Sequence, residues 1–402
     1  MNIGFVTVWG NRGASVVTES IISAISGNNK TYVYSRGGEA SIRHQSSENV
    51  YIGKESSLPI TTYIDKHDFL SWIKGNNIEL VIFNEQHWFE PVIWLKDEGI
   101  KCVTYIDYYT EETIPLFGLF DGLICNTKRH FDVFKEYKAV YVPWGVDLNK
   151  YNEKQRKPSK NVVRFFHSCG MNPHRKGTDL LLLAASKIDS NFKLIIHTQR
   201  NLEEFYKNDS SILECISSLK LQAKLEVIEK TVPAPGLYHL GDVYVYPCRL
   251  DGLGLTVPEA IASCLPTIVP DYAPMTDFTS LACKTVGIER VFSRKDGYYW
   301  PQHEVKIDCL VAAMNSFLLS SKLIDKQRAA RAHAVNHLDW KKNSSILNEF
   351  IQDVVYTPVD DTSLNYYSNY KKLGYRKIET LIYSYKSIFE CVFSINKKMK
   401  IK

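Results

Sequence analysis

Two carboxylates, Asp251 and Glu259, stand eight positions apart with Gly252 and Gly254 between them, in the stretch GDVYVYPCRLDGLGLTVPEAIASCLP that runs from 241 to 266. Glycine lets a backbone come close to a ligand and turn its amides toward it. The apolar pattern predicts a strand over 242–246, a loop broken by Pro247 and the glycines, and a helix from Thr256 that stops before Pro266. A helix start offers unpaired N–H groups to an anion. Glu259, one turn in, can accept two hydrogen bonds from a vicinal diol such as a ribose. These residue types at this spacing suit a nucleoside diphosphate laid over a helix start, its phosphates near the amides of Gly254 and Leu255. Complementarity to the helix dipole explains Glu259 alone, but it leaves the glycines and the spacing unexplained.

A second cluster lies in FHSCGMNPHRKGTD, 166–179, where a predicted strand passes into a helix. Arg175 and Lys176 there form a basic turn, open either to an anionic ligand or to solvent alone. Gly10-Asn11-Arg12-Gly13 follows the first predicted strand and precedes a helix, so amides of Gly10 and Gly13 could face the same phosphates from an opposite wall. That loop lacks the full G-x-G-x-x-G, and the second strand ends in Ser35-Arg36 rather than an acid, which argues against a dinucleotide. Asp107, Tyr108, Tyr109, Glu111 and Glu112 follow one strand, and Glu85, Gln86 and His87 follow another. Carboxylates, amides and aromatic faces of this kind hold sugars. The chain has no Asp-x-Asp, no G-x-S-x-G and no Walker lysine loop, and His333 and His337 lack the glutamate of H-E-x-x-H, so no catalytic metal or cofactor is expected.

These residues carry a resemblance. Retaining glycosyltransferases of the GT-B fold, the large family-four (glycosyl transferases group 1) type, have Glu, seven residues, Glu, with Gly-Phe-Gly behind the first acid and Glu-Ala-x-Ala-x-Gly-x-Pro from the second. Here Gly252-Leu253-Gly254 follows Asp251, and Glu259-Ala260-Ile261-Ala262-Ser263-Cys264-Leu265-Pro266 closes the motif. Asp in place of the first Glu shortens its reach by one methylene, and Cys264 replaces a glycine. The family's phosphate loop has Gly-Arg and then Lys-Gly. Lys176-Gly177 matches, Met171 follows Gly170 where arginine is expected, and Arg175 is the neighbour that would supply the charge. The resemblance implies a retaining transfer of a sugar from a nucleoside diphosphate to a hydroxyl. The acceptor would attack on the face from which the diphosphate leaves, and a phosphate oxygen would take its proton. Lys176 and Arg175 would bind the diphosphate, Asp251 the donor sugar and Glu259 the ribose, with Asp107 near the acceptor. A catalytically degenerate GT-B protein that binds a sugar or a partner is the alternative, kept open by the Glu-to-Asp and Arg-to-Met departures.

What must position these residues is a pair of parallel sheets. Short apolar strands (3–8, 31–34, 80–83, 102–106, 123–125, 140–142) alternate with helical stretches over residues 1–150, the pattern of a parallel sheet covered on both faces. Residues 151–161, polar and broken by Pro158, read as a linker. Alternation restarts and runs over 162–356, with strands at 162–166, 193–197, 225–228, 242–246 and 267–269 and closing helices over 307–319, 325–337 and 344–355. The expected fold is α/β: two doubly wound Rossmann-like domains, 1–150 on the acceptor side and 162–356 binding the nucleotide sugar, facing a cleft. Ligands of such sheets sit beyond the carboxyl ends of the strands. Residues 357–402 form a basic, aromatic helical tail.

The 402 residues leave room for two cores, and 45% hydrophobic with 23% charged residues is the balance of a globular chain. Nine cysteines form no C-x-x-C pair, as expected of reduced thiols; MNIGFVTVWG lacks a basic leader, and no apolar run reaches membrane-spanning length, so a cytoplasmic protein is expected. The formal net charge of +5 belongs to the tail, where 364–402 holds nine Lys or Arg against two Glu. No nucleic-acid partner is expected. Ile378, Leu381, Ile382, Tyr385, Ile388, Phe389, Val392 and Ile395 recur at helical spacing among these bases. Such a helix suits peripheral attachment to the anionic inner face of a membrane, and with it a glycan or lipid-linked acceptor of envelope polysaccharide assembly. Packing of the tail against the first domain is an equal alternative.

Overall fold

The computed structural model describes residues 1–10, 13–27, 29–36, 49–54, 62, 64–154 and 162–373. The first sheet has seven parallel strands, β1 (Asn2–Thr7), β2 (Lys30–Ser35), β3 (Val50–Ile52), β4 (Leu80–Phe83), β5 (Lys101–Tyr105), β6 (Gly122–Cys125) and β7 (Ala139–Tyr141), in the order β3-β2-β1-β4-β5-β6-β7. The second has six, β8 (Arg164–Gly170), β9 (Lys193–Thr198), β10 (Leu225–Glu229), β11 (Val243–Val245), β12 (Thr267–Pro270) and β13 (Lys284–Val286), also parallel, in the order β10-β9-β8-β11-β12-β13. Every residue of β4, β6 and β12 is buried. Helices cover both faces of these strands, so their sequences read as unbroken apolar runs rather than alternating ones.

In each sheet the order reverses once, between β1 and β4 and between β8 and β11. Open α/β sheets bind ligands in the crevice at such a reversal. The loops that leave these four strands carry Gly10 and Gly13, Asn84 and Glu85, Gly170 to Lys176, and Pro247 to Leu255.

The chain crosses between the domains twice. After β7, Val146 donates to the Leu338 carbonyl (2.8 Å) and accepts from the Trp340 amide (3.1 Å), while the Trp144 and Trp340 rings meet at 4.7 Å. The helix Ile346–Asp353, which the sequence pattern places at the end of the second domain, lies instead on the first, with Asn348 Nδ2 donating to the Ala24 carbonyl (2.8 Å) and Leu347 and Ile351 buried. Helical periodicity shows that a face is buried, not which neighbour buries it. The start of the tail continues over the first domain. The Thr357 amide bonds Asp121 Oδ1 (2.7 Å), the Tyr366 hydroxyl donates to the Glu112 carbonyl (2.7 Å), and Tyr367 is buried. Ile378 to Ile395, with the rest of 374–402, lie outside the described residues.

An antiparallel hairpin, β14 (Ile288–Phe292) and β15 (Gln302–Val305), is inserted after β13. Among the described residues no single helix is long and apolar enough to cross a membrane.

Candidate active site

Tyr244 and Tyr246 leave β11 on one face, as residues two apart on a strand do, and the loop then turns back so that Asp251 meets Tyr246. The Tyr246 hydroxyl donates to Asp251 Oδ2 at 2.5 Å, and Lys176 Nζ donates to both that carboxylate oxygen and the Tyr246 oxygen. Arg175 Nη1 stands 3.7 Å from Asp251 Oδ1 and donates to the Leu250 carbonyl at 3.3 Å. Burial opposes a charge on Asp251, but the attraction of Lys176 and Arg175 outweighs it and holds the carboxyl well below the usual carboxylate range. Burial also lowers the Lys176 ammonium, helped by Arg175 and resisted by Asp251.

Two features bring the basic and acidic loops together. Arg249, only 3% exposed, donates to both Asp179 oxygens (2.8 and 2.7 Å), to the His174 carbonyl (2.6 Å) and to Glu304 (2.8 Å), and its amide donates to the Arg175 carbonyl (2.8 Å). A buried guanidinium persists when its donors are matched this fully. Gly177 lies at φ 72°, and a Cβ there would stand 1.9 Å from the Pro247 carbonyl oxygen, so a side chain would force the loops apart. Gly254 is constrained alike, at φ 78° and with Met275 Cε 2.3 Å from where a Cβ would stand.

Glu259, in the first turn of the helix Thr256–Ala262, accepts the Tyr151 hydroxyl on Oε1 (2.9 Å) and the Tyr238 hydroxyl on Oε2 (2.5 Å). Burial raises its pKa, and the two hydroxyls counter part of that rise. Each carboxylate oxygen retains acceptor capacity beyond one such bond. Tyr238, Tyr244 and Tyr246 pack in series, with ring centroids 5.8 and 5.7 Å apart. One aromatic wall therefore backs both acids, its end hydroxyls holding Glu259 and Asp251.

A cleft of about 360 Å³ lies between the domains, lined by Gly13, Asn84, Glu85, Asp107 and Tyr108 from the first and by Arg175, Asp251, Gly252, Leu255, Arg294 and Tyr298 from the second. Asp107 Oδ2 is 3.5 Å from His87 Nε2. Glu85 has φ 55°, a left-handed conformation costly for a residue with a Cβ and of the kind found where a site demands it. Among the described residues no acceptor takes the amides of Gly254 and Leu255.

The structure corrects several expectations. The Gly10 amide is not open to a ligand, because it donates to Ser15 Oγ (2.7 Å) and the residue is buried. Gly13 does line the cleft, and Asn11 and Arg12 lie outside the described residues. Gln86 turns inward, accepting Arg36 Nη1 (2.7 Å) and donating to the carbonyls of Thr62 (2.9 Å) and Trp88 (2.8 Å). Tyr109 is buried behind the cleft wall, and Glu111 and Glu112 stand exposed at the start of the 3-10 helix Glu111–Leu119 rather than in the lining. Met171, at the position expected to hold a cation, is exposed.

Other site residues have no counterpart in the sequence reading. The hairpin loop 293–301 reaches the first domain. Tyr298 stacks on Tyr108 (5.0 Å, 11°) and donates to the Asp107 carbonyl (3.1 Å), and Tyr108 donates in return to the Asp296 carbonyl (3.1 Å). Arg129, in the first domain, reaches the other way to the Asp251 carbonyl (2.6 Å). The run Tyr298-Tyr299-Trp300 inside a polar insertion was the one signal that could have marked this loop.

Residues 149–329 match the family model described as glycosyl transferases group 1. The uncharacterized glycosyltransferase 335 of Sulfolobus islandicus rod-shaped virus 1 is 23% identical over 188 residues, 44% of this chain and 52% of that protein, so the chain spans about half the length of this curated relative. Among solved structures, a glycosyltransferase from Rickettsia africae ESF-5 superposes with a TM-score of 0.65 at 16% identity, covering 88% of this chain and 99% of the other. Sucrose-phosphate synthase from Thermosynechococcus elongatus gives 0.67 at 12% identity over 88% and 98%. Anabaena Alr3699/HepE in complex with UDP and glucose gives 0.65 at 12% over 88% and 99%. At these identities the likeness to the solved structures is one of fold.

Proposed function

Because residues 149–329 belong to the glycosyl transferases group 1 family and the two domains have the GT-B fold, we propose that this protein is a retaining glycosyltransferase that moves a hexose from a nucleoside diphosphate to a hydroxyl. The observation that carries this reading is the convergence of Lys176, Arg175 and Asp251 where the second sheet reverses, with Arg175 and Asp251 lining the cleft opposite Asp107 and Lys176 bonded to Asp251 just outside that lining. Lys176 and Arg175 take the diphosphate, where charge grows as the glycosidic bond breaks. Asp251 takes hydroxyls of the donor sugar, Glu259 those of the ribose, and the amides of Gly254 and Leu255 the phosphates, with Gly252 giving the backbone room and Gly13 opposite. In this structure Lys176 and Asp251 satisfy each other. A bound donor offers an anion to one and hydroxyls to the other, so the exchange leaves neither charge unpaired. With two cations at the leaving phosphate, transfer needs no metal ion. The acceptor is a glycan hydroxyl, free or lipid-linked as in envelope polysaccharide assembly, held on the first domain beside Asp107.

A thermal-shift screen of UDP, GDP and ADP sugars tests the donor class, since a ligand at 100 times its Kd adds about 2.7 kcal/mol of stability. UDP sugars come first, because a solved structure of this fold holds UDP and glucose. A panel that shifts nothing removes the donor assignment.

A further inference from the structure

Among the described residues Arg129 is a buried cation with no carboxylate within ion-pair distance. It lies in the first-domain helix Lys128–Phe134, is 5% exposed, and forms no ion pair with any described acid. A charge removed from water needs compensating contacts, and those of Arg129 are all at the junction with the second domain. Nη2 donates to the carbonyls of Asp251 (2.6 Å) and Gly252 (3.2 Å), Nη1 to that of Ala273 (2.9 Å), and the guanidinium lies 5.1 Å from the centre of the Trp300 ring. Among the described residues its Nε has no acceptor.

The three carbonyls belong to two loops, the one that presents Asp251 and the one after β12. Met275, at the end of the latter, packs where a Gly254 side chain would stand. A planar fork that holds both loops from the opposite domain fixes the backbone that carries the Asp251 carboxylate and the Gly254 amide. Trp300 is itself fixed from the first domain, its Nε1 donating to the Tyr109 hydroxyl (2.6 Å), which lies 3.1 Å from His130 Nδ1. Burial and the neighbouring Arg129 charge push the His130 pKa well below its ordinary value, and in the neutral ring the tautomer with a bare Nδ1 accepts the Tyr109 hydroxyl.

We propose that Arg129 is a positioning residue, through which docking of the first domain fixes the loop that presents Asp251 to the donor. Its catalytic consequence rests on the transfer reading above. A displacement of about 1 Å at a reacting group can cost about 100-fold in rate. Arg129→Ala should therefore lower kcat by about 10- to 100-fold while changing the donor KM less than about threefold. Guanidinium ion at millimolar concentration should restore part of kcat. Arg129→Lys should recover little, since one ammonium cannot span three carbonyls as the fork does. Amide hydrogen exchange gives a reading that needs no turnover: in Arg129→Ala the amides of Val257 and Met275, which donate to the carbonyls of Gly254 (2.9 Å) and Tyr272 (3.1 Å) on the two loops, should exchange faster, with β8 and β9 unchanged.

Parental kcat in Arg129→Ala overturns the proposal. So does a kcat loss that guanidinium does not rescue and that comes with unaltered exchange at Val257 and Met275. If Arg129→Ala does not fold, Arg129→Lys carries the test, a lower kcat at parental Tm supporting the proposal and parental kcat overturning it. Should the parent itself turn over no nucleotide sugar, the transfer reading fails separately, and exchange at Val257 and Met275 still decides whether Arg129 holds the loops.

Discussion

Replacing Lys176 by Ala separates the stability of the site from its chemistry. The side chains of Lys176 and Asp251 are each 15% exposed, so the pair belongs with buried rather than surface ion pairs. Removing one partner of such a pair costs about 3–5 kcal/mol. Asp251 would keep the Tyr246 hydroxyl at 2.5 Å and Arg175 at 3.7 Å, which places the loss near the lower end, about 3 kcal/mol. For a domain of this size about 1 kcal/mol moves Tm by about 2–4 °C, so a fall of about 6–12 °C is expected by calorimetry. Turnover, measured well below the lowered Tm, should fall about 100-fold or more, the scale of a lost electrostatic stabiliser. Lys176→Met combined with Asp251→Leu should regain about half of the lost stability, because neither charge of the close pair remains, although the Tyr246 hydroxyl loses its acceptor and the partly exposed Arg175 loses its carboxylate. The double variant should remain inactive. Parental turnover in Lys176→Ala refutes the phosphate role, and a double variant less stable than the single one refutes the account of the pair.

Asp251→Asn should abolish transfer while nucleoside diphosphate still binds, whereas Glu259→Gln should weaken nucleotide binding itself; titration calorimetry with the diphosphate distinguishes them. Burial raises the Glu259 pKa, and the carboxylate is the form that accepts two ribose hydroxyls. Donor affinity should thus be full above that raised pKa and decline as pH falls through it, and Tyr238→Phe, which removes a hydroxyl opposing the rise, should move the decline to higher pH. An unmoved profile would separate Glu259 from the ribose. Removal of 374–402, which keeps the segment packed on the first domain, tests the tail by sedimentation with anionic vesicles and by Tm: loss of vesicle binding with donor affinity intact supports a membrane role, a lowered Tm supports packing on the first domain, and full-length protein that ignores vesicles rejects the membrane role.

The sheets were legible because β1, β4, β5 and β8 are apolar runs between helical patterns. The edge strand β3 and the hairpin were not, since Tyr51, Ile52 and the residues from Glu289 to Val291 are exposed and leave no periodic face. At the site, Asp251, Glu259 and Lys176 could be found from local spacing, because a strand end, a glycine loop and a helix start fix their relations within a few residues. Arg249 and Tyr238 sit among residues of ordinary composition, and their roles depend on Asp179 and Glu259, brought near by the fold. Arg129 meets Asp251 across 122 positions of sequence. Gly10 shows the converse limit, since a neighbouring serine takes the amide that the glycine pattern seemed to offer.

The most direct test of retaining transfer is proton NMR of the purified protein with the nucleotide sugar that shifts its Tm most, first alone and then with a glycan acceptor. The account predicts that the nucleotide sugar is consumed, releasing the diphosphate, and that the newly formed anomeric centre has the configuration of the donor. Product of inverted configuration, or no consumption of any nucleotide sugar in the panel with or without acceptor, contradicts it.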